Sequence, residues 1–288
     1  MESPLIIYKR PRLRTPSLVV GWMDAGLVGI SATDYLTDQL GAEEFAEIEP
    51  PDFSLLPLSL IKGGVLQEIE YPASCFYYWK NKKSTSDLII LGSKPPDLHR
   101  YEFANLVLEL AELFKVKRIY TVGGVRTDIT DAENPRVFAV VNNYHLKRYI
   151  TQQGLEMGAD YHGPTTMNGL ILGIAKHRGI EGISLWGEVP NDSVETPNPA
   201  VCEAVLNVLT GLLGLDIDLS NIDDKYTGMQ ADELIGYVRQ PDSDLHPQLE
   251  KLERGASPEI SEKDKQTFFD ELEKFLKKQK GSSGNGSV

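Results

Sequence analysis

The sequence predicts a three-layer α/β/α sandwich with a mixed, mostly parallel sheet, followed by a C-terminal helical appendage. Short apolar runs, several of which end in glycine, alternate with amphipathic helical periods over the first 215 residues. Continuous apolar strands are expected where helices cover both faces of a sheet. Alternation of such strands with helices is typical of the three-layer architecture.

Five apolar runs are predicted to be strands. They are LIIY (5–8), SLVVGW (17–22), LIILG (88–92), RIYTVGG (118–124) and GISLWGEV (182–189). The segment 65–90 breaks the alternation, because two β-rich runs meet around Pro72 with no helix between them. This segment predicts an antiparallel hairpin or a pair of extended strands, and therefore a mixed sheet. The segment 136–154 predicts a further strand and a short helix.

Three segments show the apolar stripe of an amphipathic helix. The stripes are Val28, Ala32, Tyr35 and Leu36, with Gly41 as a stop; Phe103, Leu106, Val107, Leu110 and Phe114; and Val201, Val205, Val208 and Leu212. The third helix is expected to begin at Asn198-Pro199, an N-cap followed by proline, and to end at Gly214. A fourth apolar helix contains Gly169 and Gly173, a spacing that predicts close backbone packing against the chain's own sheet or another subunit.

The composition narrows the classes of partner. A formal net charge of -13 and a pI near 4.9 argue against nucleic acid or an anionic membrane as the main partner. No apolar run approaches the ~20 residues that a membrane span needs. The basic residues near the N-terminus follow a very short apolar run, the wrong order for a secretory signal. A cytoplasmic protein is therefore expected.

The sequence divides into an α/β/α domain at 1–218, an acidic helical extension at 219–280 and a flexible tail at 281–288. The final helix is predicted from an apolar stripe. Its members are Phe268, Phe269, Leu272, Phe275 and Leu276. Such a stripe favours packing on the core, with docking of a partner as the alternative.

The stretch GWMDAGLVG, residues 21–29, raises the question of a phosphate-binding loop. Gly21 and Gly26 have the GxxxxG spacing of a P-loop, but Leu27 stands where the lysine is needed. The dinucleotide fingerprint fails as well, because Asp24 takes the place of a glycine. We therefore expect Asp24 to cap the following helix, while Gly26 and Gly29 allow that helix to approach the sheet closely.

Glycine-containing loops follow several predicted strands and could surround one crevice, since parallel strands end at the same edge. Lys94, Arg126, Asp128, Asp131 and Glu188 would then be near neighbours. Because loops at strand ends are polar in any such fold, ordinary structural turns are the favoured interpretation. The complete set of candidates is Asp24, Gly26, Gly29, Gly92, Lys94, Gly123, Gly124, Arg126, Asp128, Gly163 and Glu188.

Signatures of nucleophilic and metal sites are not found. The sequence has no GxSxG, HExxH or CxxC motif, and its five histidines lack partners at ligand spacing. Asp128 and Asp131 could hold Mg²⁺, but two loop acids are a weak signal. Cys75 and Cys202 match no metal spacing, and Cys202 is expected to be a buried, inert thiol. No catalytic residue, metal or cofactor is assigned.

Four blocks in order give the sequence a wider resemblance. They are GWMDAGLVGISATDYLTDQL, LIILGSKPPDLHRYEFANLVLELAELFKVKRIYTVGG, GPTTMNGLILGIAKHRGIEGISLWGEVP and a helix that ends GLLGLDIDL. The chain resembles the PAC2 family of proteasome-assembly-chaperone-like proteins over roughly residues 3–220. The first block is close to the family's G-x-x-D-A-G-x-x-G signature. The resemblance implies a phosphorylase/hydrolase-like α/β/α fold and a homo-oligomer that acts as a chaperone or binds proteasome α-type subunits.

Departures from the family pattern limit what the resemblance implies. Lys94 replaces the acid of a G-x-E-P block, and TDITDAENPRV lacks a His-x-Arg-Pro element. The tail GSSGNGSV has no hydrophobic-Tyr-X docking motif, so docking by that route is not expected. A chaperone or scaffold without catalysis is favoured. The alternatives are an ATP-dependent carboxylate-amine ligase, a phosphorylase/hydrolase-like enzyme, or small-molecule binding without turnover at the crevice.

Overall fold

The computed structural model describes residues 3–49, 52–54, 58–62, 64–70, 74–83, 86–128, 135–191, 194 and 196–222. The chain divides into two compact units, Met1–Thr227 and Gly228–Val288, and all described residues belong to the first. The predicted final helix and tail lie outside the described residues. The domain boundaries at 218 and 280 therefore stay predictions.

Eleven strands are found among the described residues. They are β1 (Leu5–Ile7), β2 (Ser17–Trp22), β3 (Glu43–Ile48), β4 (Leu58–Lys62), β5 (Val65–Glu70), β6 (Ser74–Trp79), β7 (Leu88–Ser93), β8 (Arg118–Thr127), β9 (Val137–Val141), β10 (Glu156–Met157) and β11 (Glu181–Pro190). Nine of them form one sheet in the order β1-β3-β6-β7-β2-β8-β11-β9-β10. The other two, β4 and β5, form a separate antiparallel pair.

Helices cover both faces of the nine-stranded sheet. They are α1 (Val28–Leu40), α2 (Arg100–Leu113), α3 (Tyr144–Gln152), α4 (Met167–His177) and α5 (Pro199–Leu213). The first and fifth helices pack together on one face, where α3 also contributes buried side chains, and α2 packs with α4 on the other. The predicted three-layer α/β/α sandwich with a mixed sheet is therefore confirmed.

The four central strands β7, β2, β8 and β11 run parallel and start in line. Ser17 pairs with both Leu88 and Arg118, and Arg118 pairs with Glu181. All six residues of β2 are buried, as expected for a strand covered on both faces. The sheet therefore has two distinct borders, which we call the amino edge, where these four strands begin, and the carboxyl edge, where they end.

The two β-rich runs on either side of Pro72 form separate strands and do not form an antiparallel hairpin with each other. β5 pairs with β4, whereas β6 enters the main sheet antiparallel to both β3 and β7. The hairpin alternative is therefore wrong. Strands β3 and β4 were not predicted, and β3 carries three glutamates within EEFAEI, which mask its strand pattern.

Local signals at helix ends are confirmed. Asn198 caps α5 by accepting the N–H of Val201 at 3.1 Å, Pro199 begins the helix, and Gly214 ends it with φ of 63°. Cys202 is fully buried, as expected. No helix of the described residues is long and apolar enough to span a bilayer.

The predicted packing of Gly169 and Gly173 against the chain's own sheet is wrong. Both glycines lie on the exposed side of α4, whose buried side is formed by residues such as Met167 and Ile171. A Cβ atom placed on Gly173 would meet nothing within 4 Å among the described residues. Contact of this side with another subunit stays a prediction.

Candidate functional site

The GWMDAGLVG stretch lies at the carboxyl edge and connects β2 to α1. After Trp22 the chain turns through a short 3₁₀ segment, Ala25–Leu27, before α1 begins. Gly26 and Leu27 have φ angles of 64° and 50°, so the backbone reverses sharply here. A positive φ carries no steric penalty at glycine, which accounts for Gly26.

Asp24 joins the start of α1 to the neighbouring strand β8. Its Oδ1 accepts the N–H of Gly29 at 3.0 Å, which lies in the first turn of α1. Its Oδ2 accepts the N–H of Gly124 in β8 at 2.9 Å. This bond satisfies a first-turn amide of α1, as a cap would, but Leu27, three residues after Asp24, occupies the N-cap position. The bond to β8 was not predicted, because nothing local in the sequence indicates it.

Glycines make room for this turn on the sheet. A Cβ atom on Gly124 would lie 2.0 Å from the carbonyl oxygen of Ala25, and one on Gly123 would lie 2.1 Å from Asp24 Oδ2. A Cβ on Gly29 would lie 2.7 Å from the backbone of Trp22. These distances are too short for any side chain, so the expected close approach of Gly29 to the sheet is confirmed, and Gly123 and Gly124 serve the same approach.

Three backbone amides of the turn are engaged within the protein. The N–H of Gly26 donates to the carbonyl of Val194 at 2.8 Å, and that of Leu27 donates to the carbonyl of Asp24 at 2.9 Å. The N–H of Gly29 donates to Asp24. A phosphate loop needs such amides directed at its anion, whereas here the protein's own acceptors occupy them. The geometry therefore supports a structural turn, held by hydrogen bonds within the protein, at the position where a phosphate-binding loop was considered.

Burial raises the pKa of Asp24 to about 7, against an ordinary value of 3.8. Burial is the main cause because it penalises the charged carboxylate. The amide donors of Gly29 and Gly124 lower the pKa and so oppose this effect. Asn168, which is 2% exposed, lies beside the same spot: its Nδ2 would be 3.0 Å from a Cβ on Gly123, and its Oδ1 has no hydrogen-bond partner among the described residues.

Two polar groups extend this site along the carboxyl edge. Asn191 accepts a hydrogen bond from Arg126 and donates one to Asp128, so it joins two predicted site residues. Glu188, which is 8% exposed, accepts two hydrogen bonds from Arg136, at 2.7 and 2.9 Å. No partner was predicted for Arg136. The ends of β8 and β11 bring Arg126, Asp128 and Asn191 together, and the start of β9 beside β11 brings Arg136 to Glu188.

Other predicted members of the crevice lie elsewhere. Lys94 pairs with Asp97 at 3.2 Å and borders a narrow recess at the end of β7. Gly92 faces Thr33 of α1, whose Oγ1 would lie 2.5 Å from an added Cβ, and Gly163 lies in an exposed stretch beside Tyr161. Asp131 is outside the described residues. Those residues hold no group of three or more His, Cys, Asp or Glu side chains placed to bind a metal ion.

A family comparison covers the turn and the strands on either side of it. The model of the PAC2 family matches residues 18–232, from within β2 to beyond α5. This chain belongs to the PAC2 family. The match includes the GWMDAGLVG turn and every candidate residue named above.

The chain is also similar to solved structures and to a curated sequence. PbaB of Pyrococcus furiosus, described as an archaeal proteasome activator, is 30% identical with a TM-score of 0.67, and the match covers 82% of this chain and 98% of that one. A PAC2 family protein of Streptomyces avermitilis is 25% identical with a TM-score of 0.64, over 81% and 98% of the two chains. An uncharacterized protein of Methanocaldococcus jannaschii is 26% identical over 220 residues, 76% of this chain and 81% of that protein.

Proposed function

We propose that this PAC2 protein is a homo-oligomeric, protein-binding chaperone or scaffold without catalysis of its own, and that proteasome α-type subunits are its partner. The observation that carries this proposal is its similarity to PbaB, an archaeal proteasome activator, over 98% of that protein. Fold similarity alone does not establish function. The site and the surface therefore have to be consistent with protein binding.

The geometry of the GWMDAGLVG turn, residues 21–29, is consistent with a structural role. Asp24 and the amides of the turn bond within the protein, and glycines at 123 and 124 bring the turn against β8. Such an arrangement stabilises the carboxyl edge and leaves the amides engaged. It does not favour the alternative of a nucleotide-dependent ligase or a phosphorylase/hydrolase-like enzyme.

Exposed apolar side chains supply surface for protein contacts. The β4–β5 pair lies outside the main sheet, and its Ile61, Val65 and Leu66 are between 54% and 62% exposed. An isolated two-stranded hairpin is at best marginally stable in water, so contact with another chain would stabilise it. Exposed apolar groups that lie together are typical of interaction sites.

Two measurements test the proposal together. Native mass spectrometry of the protein, alone and with proteasome α-subunits of the same organism, should give a homo-oligomer and a complex. Thermal shift with Mg-ATP, ADP, nucleosides and phosphate should give no stabilisation. Turnover of ATP together with a nucleotide-dependent shift would overturn the chaperone proposal in favour of the enzyme. A monomer that leaves the α-subunits unbound would overturn it as well.

A further inference from the structure

Basic side chains gather along the amino edge, although the chain as a whole is acidic. The in-line starts of β2, β7, β8 and β11 place the segments before each strand side by side. The end of β6, where Trp79 pairs with Leu88, and the end of β9, where Val141 pairs with Ile183, lie at the same edge. Besides Lys9, Arg10 and Arg12 before β2, eleven of the chain's 29 lysines and arginines lie in the connections at this edge or in the helix and strand residues next to them. They are Arg14, Lys80, Lys82, Lys83, Lys115, Lys117, Arg118, Lys147, Arg148, Lys176 and Arg178.

Carboxylates within these connections are already paired with cations. Asp87, which is 1% exposed, binds Arg14 at 3.2 Å, and Glu181 binds Arg118 at 2.8 Å and His145 at 2.7 Å. Glu112, at the end of α2, binds Arg178 at 2.9 Å. Eight of the eleven cations have no carboxylate within ion-pair distance among the described residues, and all eight are exposed. Glu43 and Glu44, at the start of β3, lie at the same edge, where Glu43 binds Lys9. The connections named above therefore form a locally positive part of this edge.

The exposed side of α3 forms a shallow recess beside these cations. Tyr144, His145, Lys147, Arg148 and Thr151 line a shallow recess of about 480 Å³. Tyr144 is 86% exposed, an unusual position for an aromatic ring with no covering partner among the described residues. The recess therefore combines an apolar ring with two cations that have no ion-pair partner there.

We propose that the amino edge, centred on the α3 recess, docks an acidic segment of a partner protein. The proposal rests on the protein-binding function proposed above and names the chemistry of the partner. Complementary charge steers association and sets the register of an interface. Exposed aromatic rings supply anchors at the centre of such interfaces.

The distribution of charge favours a protein partner over a nucleic acid. A nucleic acid presents one negative charge per ~1.7 Å of duplex and its field extends along the whole duplex. The rest of this molecule carries the acidic excess behind the net charge of -13, so it would repel such a polyanion. An acidic patch on a protein is local and can match a local basic edge.

Binding to a labelled poly-L-glutamate peptide, followed by fluorescence anisotropy, tests the proposal on the full chain. Arg148→Glu should weaken binding about fivefold at low salt, because one attraction is lost and one repulsion is gained. Arg100→Glu is the matched control: Arg100 is an exposed arginine at the start of α2, near the carboxyl edge. It should leave the affinity unchanged. Circular dichroism verifies that both variants are folded.

Every outcome decides for or against the amino edge. Selective loss in Arg148→Glu, with wild-type affinity that falls as salt is raised, supports it. Equal loss in both variants, or no binding at low salt, overturns it. Tighter binding of a single-stranded oligonucleotide of equal charge overturns it in favour of nucleic acid. None of these outcomes requires a proteasome, so failure of the α-subunit experiment would be distinguishable from failure here.

Discussion

Replacement of Asp24 by asparagine should change how the stability of the protein depends on pH. Burial raises the pKa of Asp24 in the folded protein to about 7, while the ordinary value is 3.8. The folded state therefore favours the protonated carboxyl. Its contribution to stability is fully present below about pH 4 and is lost as the pH rises through about 7. An asparagine side chain at this position cannot titrate, so the variant should lack this loss.

The size of the effect follows from the difference between the two pKa values. About three units correspond to roughly 4 kcal/mol as an upper bound, since each unit is worth ~1.4 kcal/mol. At about pH 5 the variant should be less stable than wild type by ~1 kcal/mol, because the NH₂ group of asparagine only donates and would face one of the two backbone N–H groups, those of Gly29 and Gly124. The hydroxyl oxygen of the protonated carboxyl in the wild type can still accept a hydrogen bond there. Above about pH 8 this difference should vanish or reverse, because only the wild type then has a buried charge.

Urea unfolding of both proteins across this pH range measures the difference directly. Every other titrating group is common to both proteins and cancels when the two free energies of unfolding are subtracted. A difference that stays constant across the range would refute the argument. A variant whose disadvantage grows with pH would show that the folded state prefers the carboxylate, and that the amide donors outweigh burial.

The remaining predictions concern packing and charge. Gly123→Ala should lower the free energy of unfolding by about 1–3 kcal/mol because its Cβ would collide with Asp24. In the same urea experiment Gly173→Ala, on the exposed side of α4, should be neutral or stabilising. Equal effects of the two substitutions would contradict this account. Arg136→Ala should lower the free energy of unfolding only slightly, since the Arg136 side chain is 66% exposed while that of Glu188 is 11% exposed. A double-mutant cycle with Glu188→Gln measures the coupling between the two side chains, and zero coupling would remove the pair from the site. Gly173→Leu should lower the native mass if the exposed side of α4 contacts a second copy, and an unchanged oligomer would exclude that side.

Local patterns predicted the fold well. The apolar runs at β2, β7, β8 and β11 fix the parallel centre, because a strand buried on both faces must be apolar throughout. Edge elements were harder to predict. β3 lies toward one side of the sheet and carries three glutamates, which interrupt the apolar pattern of a strand. β5 pairs with β4, and no periodicity in the sequence indicates that partner.

The site was predictable only where its contacts are short-range. Asp24 could be assigned as a cap because Gly29 lies five residues away, within reach of a local argument. Its second bond, to Gly124, crosses 100 residues of chain and has no local signal. The same holds for the Arg126–Asn191–Asp128 group, which the parallel alignment of β8 and β11 assembles. Strand-end position alone placed Lys94 in the same crevice, and its neighbour is instead Asp97.

The carboxyl edge, which holds the GWMDAGLVG turn, and the amino edge differ in how their polar groups are paired. At the carboxyl edge, several polar groups are matched within the protein: Asp24 with two amides, Glu188 with Arg136, and Asn191 with the side chains on either side of it. The buried Oδ1 of Asn168 at this edge has no partner among the described residues. At the amino edge, most cations have no such match among the described residues. Groups that are already paired stabilise a fold, whereas unmatched exposed charge has free energy to gain from a partner. The unmatched cations of the amino edge, at the opposite ends of the central strands from the GWMDAGLVG turn, are therefore the groups with which the proposed acidic partner would pair.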